Sequence, residues 1–209
     1  MFLDMVQYKR REYENRNKIR TKDGWVWLTV PVVSKGLREQ LIGDVMIDNS
    51  TRWQEKHWRA MSASYKKARF FSEHAPFFEN VYLTRHWESL QDLNVCTTMY
   101  VLEKLGITVP VHFESQLGTT QKSTERIIEI CRRVGADVYL SGSGGRGYLE
   151  EKRFEEEGIE LRCQDFRHPV YRQVYAGNES GFIPEMAAAD LLFNEGPDSR
   201  QILEGEARL

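Results

Sequence analysis

Residues 123–149 read STERIIEICRRVGADVYLSGSGGRGYL, and their order of helix, strand and glycine loop decides the fold class. Ile127, Ile130, Cys131 and Val134 recur at the spacing of one helix face. Arg132 and Arg133 fall in the last turn, where the partial negative charge of a helix C-terminus favours cations. Gly135 then supplies the stop. Residues 136–140 are a short apolar run of the kind buried in a parallel sheet, and they empty into 141–147, too rich in glycine for either regular element. A further helix is predicted from Tyr148. A strand that ends in glycines and opens a helix leaves N–H groups free to meet an anion. Ser141, Gly142, Gly144, Gly145 and Arg146 are therefore candidate substrate-binding residues.

Working outward, 148–157 are predicted helical, Gly158 stops them, and 159–166 form the next strand. On the other side, Ile107, Val109, Val111 and Phe113 alternate into a strand ending at Glu114 and Ser115. Pro110 cannot donate to a ladder, so this strand belongs at an edge or begins pairing late. Strand, helix, strand, helix, strand predicts an α/β fold: a mostly parallel, Rossmann-like sheet with helices on both faces and right-handed crossovers. Ligands of such sheets bind at the carboxyl ends of the strands. Ser115, the glycine loop and Gln164-Asp165 fall there, which makes Asp165 a candidate acid or base.

The first half of the chain carries the other candidates. Residues 2–8 read as half a strand, and 9–20 are dense in charge. Asn15, Arg16 and Asn17 place two amides around a guanidinium that can fork onto carboxylate or phosphate; the alternative is a solvated turn. Residues 25–33 alternate, with Trp25, Trp27 and Thr29 on one face and Val26, Leu28 and Val30 on the other, so cover is expected on both sides. Asn49 or Ser50 is expected to cap a helix whose stripe holds Trp53, His57, Ala60, Met61 and Ser64. His57 is there a general-base candidate or a packing histidine. A longer helix over 88–105 ends at Gly106. The last helix opens at Pro184, carries the acid–base candidate Asp190 and closes at Gly196, and the charged tail 197–209 is expected to fray.

Length and composition narrow the classes. At 209 residues the chain is expected to form a single α/β domain, 1–209. A formal net charge of −2 gives no whole-molecule field for nucleic acid or acidic membranes. Cys96, Cys131 and Cys163 are odd in number and widely spaced, which argues against a disulfide framework or a zinc site and for a reducing cytoplasm. No run approaches the roughly 18 apolar residues of a membrane span, and residues 1–20 lack the apolar core of a signal peptide. Residues 142–147 match G-x-G-x-x-G with Asp165 roughly twenty residues on, but only about sixty residues follow, too few for a dinucleotide fold. Tyr148 stands where a P-loop needs lysine. No cofactor and no metal are expected. An anion held by backbone N–H groups and Arg146, or a tight turn that lets the helix pack close, both survive.

Asp4-x-Val6-Gln7-Tyr8, Asn15-Arg16-Asn17, Trp27-Leu28-Thr29-Val30-Pro31, Tyr139-Leu140-Ser141-Gly142 with Gly144-Gly145 and Tyr148-Leu149, and Asp190-Leu191-Leu192-Phe193-Asn194-x-Gly196 stand in this order along nearly the whole chain. Together they resemble the WbqC-like family of bacterial proteins. The resemblance implies an accessory role in O-antigen and other surface-glycan (lipopolysaccharide) biosynthesis, with no settled reaction. Two departures are visible. The family's opening His-Gln-Pro and Leu-Pro-Trp stretch is absent before Asp4, so the chain is expected to be an N-terminally shortened member, inactive if that histidine is catalytic. Ala187 stands near where the family has serine.

Two function classes follow. One is an enzyme of group transfer, a transferase, acting on a nucleotide-activated or phosphorylated sugar, its anion held by the glycine loop and Arg146, its substrate oriented by Asn15, Arg16 and Asn17, and acid–base work falling to His57, Asp165 or Asp190. The other is a noncatalytic ligand-binding or assembly protein of the same pathway. Oligomeric state is not legible.

Overall fold

A computed structural model describes residues 1–37 and 39–208, without the side chains of Ser143, Arg146 and 206–208. In chain order, strands β1 (Arg16–Thr21) and β2 (Gly24–Thr29) precede helices α1 (Trp53–Tyr65), α2 (Phe71–Glu79), α3 (Leu90–Lys104) and α4 (Ser123–Val134). Strand β3 (Val138–Ser141), helix α5 (Glu151–Glu156) and strands β4 (Glu160–Cys163) and β5 (Asp165–Phe166) follow, then helices α6 (Ala188–Glu195) and α7 (Ser199–Glu206) and strand β6 (Ala207–Arg208).

The architecture is mixed α/β, but the strands form three two-stranded sheets: β1–β2 antiparallel, β3–β4 parallel and β5–β6 antiparallel. The continuous Rossmann-like sheet expected from the sequence is not seen among the described residues. Two local causes are visible. The stretch around Pro110 stays outside any ladder, and only Phe113 is bridged, in parallel sense, to Phe2. The run expected as one strand over 159–166 divides at Gln164, whose N–H donates to the Ser141 carbonyl at 2.8 Å and closes the β3–β4 ladder.

The chain divides into two compact units. The first takes Met1–Met5, Pro110–Arg167 and the chain end from Glu206. Its core is the apolar face of α4, with Ile127, Ile128, Ile130 and Cys131 packed with Phe154 and Ile159. Burial pushes the Cys131 thiol up, as suits a packing cysteine. Gly135 closes α4 at φ +69°. Asp4, nearly fully buried, accepts the Ser115 N–H at 2.9 Å and its hydroxyl at 2.5 Å, which ties the first residues down. Glu114 is fully buried against Arg126 at 3.3 Å and Thr119 at 2.8 Å.

The second unit, Val6–Val109 and His168–Gly205, packs α1, α2, α3 and α6 around Tyr65, Phe78, Tyr100, Leu192 and Phe193. Phe77 stacks on Tyr100 at 3.6 Å between ring centres. The α1 cap differs from expectation: the Asn49 amide is used on the Trp53 indole at 3.0 Å and the Trp87 carbonyl at 2.9 Å, and no side chain caps the helix. Ser89 does cap α3, accepting from the Asp92 N–H. Beyond Gly196 the stretch expected to fray forms α7, anchored by buried Ser199 and by Arg200 on the Gly106 carbonyl at 2.9 Å.

Candidate functional site

The second unit holds an open groove of about 750 Å³ lined by Gln7, Tyr8, Lys9, Arg10, Ser34, Lys35 and Gly36. That volume lies in the range of small-molecule sites. The two walls are joined by backbone: the Tyr8 N–H donates to the Gln40 carbonyl at 2.8 Å and Gln7 bridges Leu41. Arg10 donates to the Ser34 carbonyl at 2.8 Å across it. Burial, then the Glu14 charge, push the Tyr8 phenol up, and Arg10 and Arg16 pull it back.

Beside the groove's first wall stands the β1–β2 hairpin. Pairing sets Lys18 opposite Trp27 and Arg20 opposite Trp25, so the cations of β1 share a face with the tryptophans of β2. The Arg16 guanidinium lies over the Trp27 ring at 4.2 Å and donates to the Arg11 carbonyl. Lys18 reaches Trp25 at 5.1 Å and pairs with Glu185 at 3.1 Å. The cover expected on both faces of β2 is thus partly cationic, and Trp25 and Val26 remain exposed. Asn15 is buried and donates to the Val30 carbonyl at 2.9 Å; Asn17 is exposed and accepts the Lys18 N–H at 2.8 Å.

The acid–base candidates lie elsewhere. Asp190 is fully buried in α6 and accepts from the Tyr65 and Tyr171 hydroxyls at 2.7 and 2.6 Å and from Gln173 at 2.9 Å. Its neighbour Arg20, also fully buried, donates to the carbonyls of Thr21, Gly24, Tyr175 and Gly181 and to the Ser180 hydroxyl. Asp165 stands exposed on β5 in the first unit.

His57 is sealed beside Trp53 and Tyr82. Its Nε2 is 3.1 Å from the Thr29 carbonyl, which can only accept, so Nε2 carries the proton and the buried Nδ1 has no partner among the described residues. Burial lowers its pKa to about 4 from 6.5. In that window the unfolded chain binds a proton that the native chain does not, so stability rises with pH between 4 and 6.5. The whole swing is on the order of 3 kcal/mol. His57→Gln keeps a donor for Thr29 and should flatten the urea-unfolding free energy across that window; His74, lowered by burial too, retains its own share. An unchanged slope would show that His57 is not the titrating group.

In the glycine loop, a 3₁₀ turn over Ser143–Gly147, the Gly145 N–H is taken by the Gly142 carbonyl at 3.0 Å. A methyl group on Gly145 would overlap the Ser141 hydroxyl and come within 3.1 Å of Leu149, so Gly145 serves close packing. Gly142 and Gly144 have open space around them. The Arg146 side chain lies outside the described residues. Asn15, Arg16 and Asn17 stand on the hairpin in the second unit, and Ser141–Gly145 in the loop of the first. The groove residues were missed by sequence reasoning, although the charge density of 9–20 pointed to the region.

Among the described residues, no group of three or more His, Cys, Asp or Glu could hold a metal ion, and no helix is long and apolar enough to cross a membrane. The family model described as "WbqC-like protein family" matches residues 1–202. An uncharacterized protein of Mycobacterium tuberculosis, Rv1507c, is 33% identical over 201 residues, covering 96% of this chain and 85% of that protein. No solved structure matches. Matched along almost its whole length, the chain belongs to the WbqC-like protein family, which is associated with glycan biosynthesis.

Proposed function

We propose that the chain binds a phosphorylated or nucleotide-linked sugar in the groove of 7–10 and 34–36, as a component of surface-glycan (O-antigen or lipopolysaccharide) biosynthesis in the bacterial cytoplasm. The observation that carries this reading is a concentration of cations without ion-pair partners. Lys9, Arg10 and Lys35 line one groove, and none of them pairs with a carboxylate among the described residues. Several arginines elsewhere pair with glutamates, as in Arg126–Glu114, Arg133–Glu129, Arg153–Glu125 and Arg200–Glu204. Unspent cations around a concave site suit phosphate oxygens. Gln7 and Tyr8 of the groove belong to the motif that carries the family resemblance.

Ligand binding is better supported than group transfer. His57 is neutral and sealed, and Asp190 is fully buried and already accepts three hydrogen bonds. Thermal unfolding with a panel of sugar 1-phosphates and nucleoside-diphosphate sugars tests the reading. A true ligand at a hundredfold excess over its Kd adds about 2.7 kcal/mol of stability. Arg10→Ala and Lys35→Ala should each weaken it roughly tenfold, the size of one charge-assisted contact. Phosphorus NMR of the hit then decides the class: an unchanged ligand supports a binder, and a new product supports a transferase. No stabilisation by any phosphorylated sugar, or affinities unmoved in both variants, would overturn the proposal.

A further inference from the structure

We infer that the ligand of the groove is a nucleotide, its base stacked on Tyr13 and Trp25 of the β1–β2 hairpin region while its phosphates meet Lys9, Arg10 and Lys35. This rests on the groove being an anion site. Tyr13 is 55% exposed and Trp25 43% exposed, unusual for large aromatic side chains. Both meet Trp27 at steep angles, at 5.5 and 5.6 Å between centres, so neither is stacked face to face. Arg16 covers Trp27 and Lys18 reaches Trp25, which surrounds the rings with positive charge. Aromatic faces flanked by arginine are how proteins hold single bases without reading their sequence.

The platform and the groove are linked by covalent chain, and one hydrogen bond braces the stretch between them. Arg16 donates to the carbonyl of Arg11, the residue after Arg10 of the groove wall. Arg11 holds a left-handed backbone at φ +66°, uncommon for a residue with a side chain, so this bond fixes a defined turn. Tyr13 is three residues from Arg10, at most about 11 Å along the chain, within the span of one nucleotide from phosphate to base. Hydrogen-bonding capacity is also left over at the foot of the platform. Asn15, 8% exposed, has an unpartnered Oδ1, and Glu14 Oε2 and Arg16 Nε are buried without partners among the described residues. Native proteins seldom leave such groups unsatisfied. A ligand that is both planar and anionic matches the rings and the cations together.

Isothermal titration of the whole chain with uridine diphosphate, adenosine diphosphate, a sugar 1-phosphate and inorganic pyrophosphate separates the parts. The diphosphates of both nucleosides should bind at least about tenfold tighter than pyrophosphate. Trp25→Ala and Tyr13→Ala, both at exposed positions, should remove that gain and leave pyrophosphate unchanged, whereas Lys35→Ala should weaken all. If pyrophosphate binds and the nucleotides bind no tighter, the stacking inference falls and the groove reading stands. If Trp25→Ala weakens the sugar 1-phosphate and spares the nucleotides, the occupant is a sugar ring and the inference falls. If none of the four binds, the groove reading falls and takes this inference with it.

Discussion

Asp190→Ala is expected to lower the unfolding free energy by about 3 to 5 kcal/mol, the loss that follows when one partner of a buried charged network is removed. The direction of each bond explains the size. The Tyr65 oxygen accepts the Arg20 N–H at 2.8 Å, so its own hydrogen must point to Asp190. Gln173 is likewise oriented, its Oε1 accepting the Ile183 N–H at 3.0 Å while its Nε2 turns to Asp190. Both donors are thus committed, and alanine would leave them buried with nothing to meet. Asp190→Asn keeps the shape but sets an NH₂ against one fixed donor, and should cost less, about 1 to 3 kcal/mol.

Burial raises the Asp190 pKa above 3.8, while the three hydrogen bonds and the Arg20 charge pull the other way. With the native pKa raised, the native chain holds its proton to higher pH than the unfolded chain does. Asp190 therefore makes stability fall as pH climbs from 3.8 to its native value, and the Asn variant should lack that fall. Urea unfolding of both variants measures these effects. A loss under about 1 kcal/mol for Ala would mean that water replaces the carboxylate and that the network is not sealed.

What the sequence disclosed follows the range of the interactions involved. The helix at 123–134 and its glycine stop were legible because periodicity and capping are local. Strand β3 and the glycine turn were placed for the same reason, and the ordered motifs identified the family. The sheet was not legible, because pairing is a long-range choice: Phe2 bridges Phe113, and β5 finds its partner in β6 at the far end of the chain. β1 was hidden by its composition. Residues 9–20 read only as dense in charge, with a binding triplet or a solvated turn at 15–17, yet Arg20 is fully buried because carbonyls of a loop about 155 residues away surround it. The groove is nonlocal in the same way, since Lys35 joins Lys9 and Arg10 only when Gln7 pairs with Leu41. His57 shows how far one residue type can be read: the apolar stripe announced a buried ring, and only the fold shows what its nitrogens meet.

Gly196→Ala should cost about 3 to 5 kcal/mol although it adds a single methyl group. Gly196 ends α6 at φ +51° and ψ −119°, a conformation open to glycine and strained for any residue with a Cβ. Strain of that kind is worth about 1 to 3 kcal/mol. The methyl would also stand 2.5, 2.6 and 2.8 Å from Cγ, Cδ1 and Cδ2 of Phe70. Those atoms cannot swing clear. Cγ lies one bond beyond the Phe70 Cβ, and the Phe70 backbone is fixed by its N–H bond to the Phe193 carbonyl at 2.9 Å. Overpacking adds about 1 to 3 kcal/mol. Gly205 offers the control: it is exposed in α7 with nothing within 4 Å of an added methyl. There the same substitution should stabilise by up to about 1 kcal/mol, because alanine favours the helix and narrows the unfolded ensemble. Denaturant midpoints should therefore move in opposite directions for the two variants. A Gly196→Ala protein as stable as its parent would mean that Phe70 and the end of α6 can separate, and that the Phe70–Phe193 contact does not fix the position of α6.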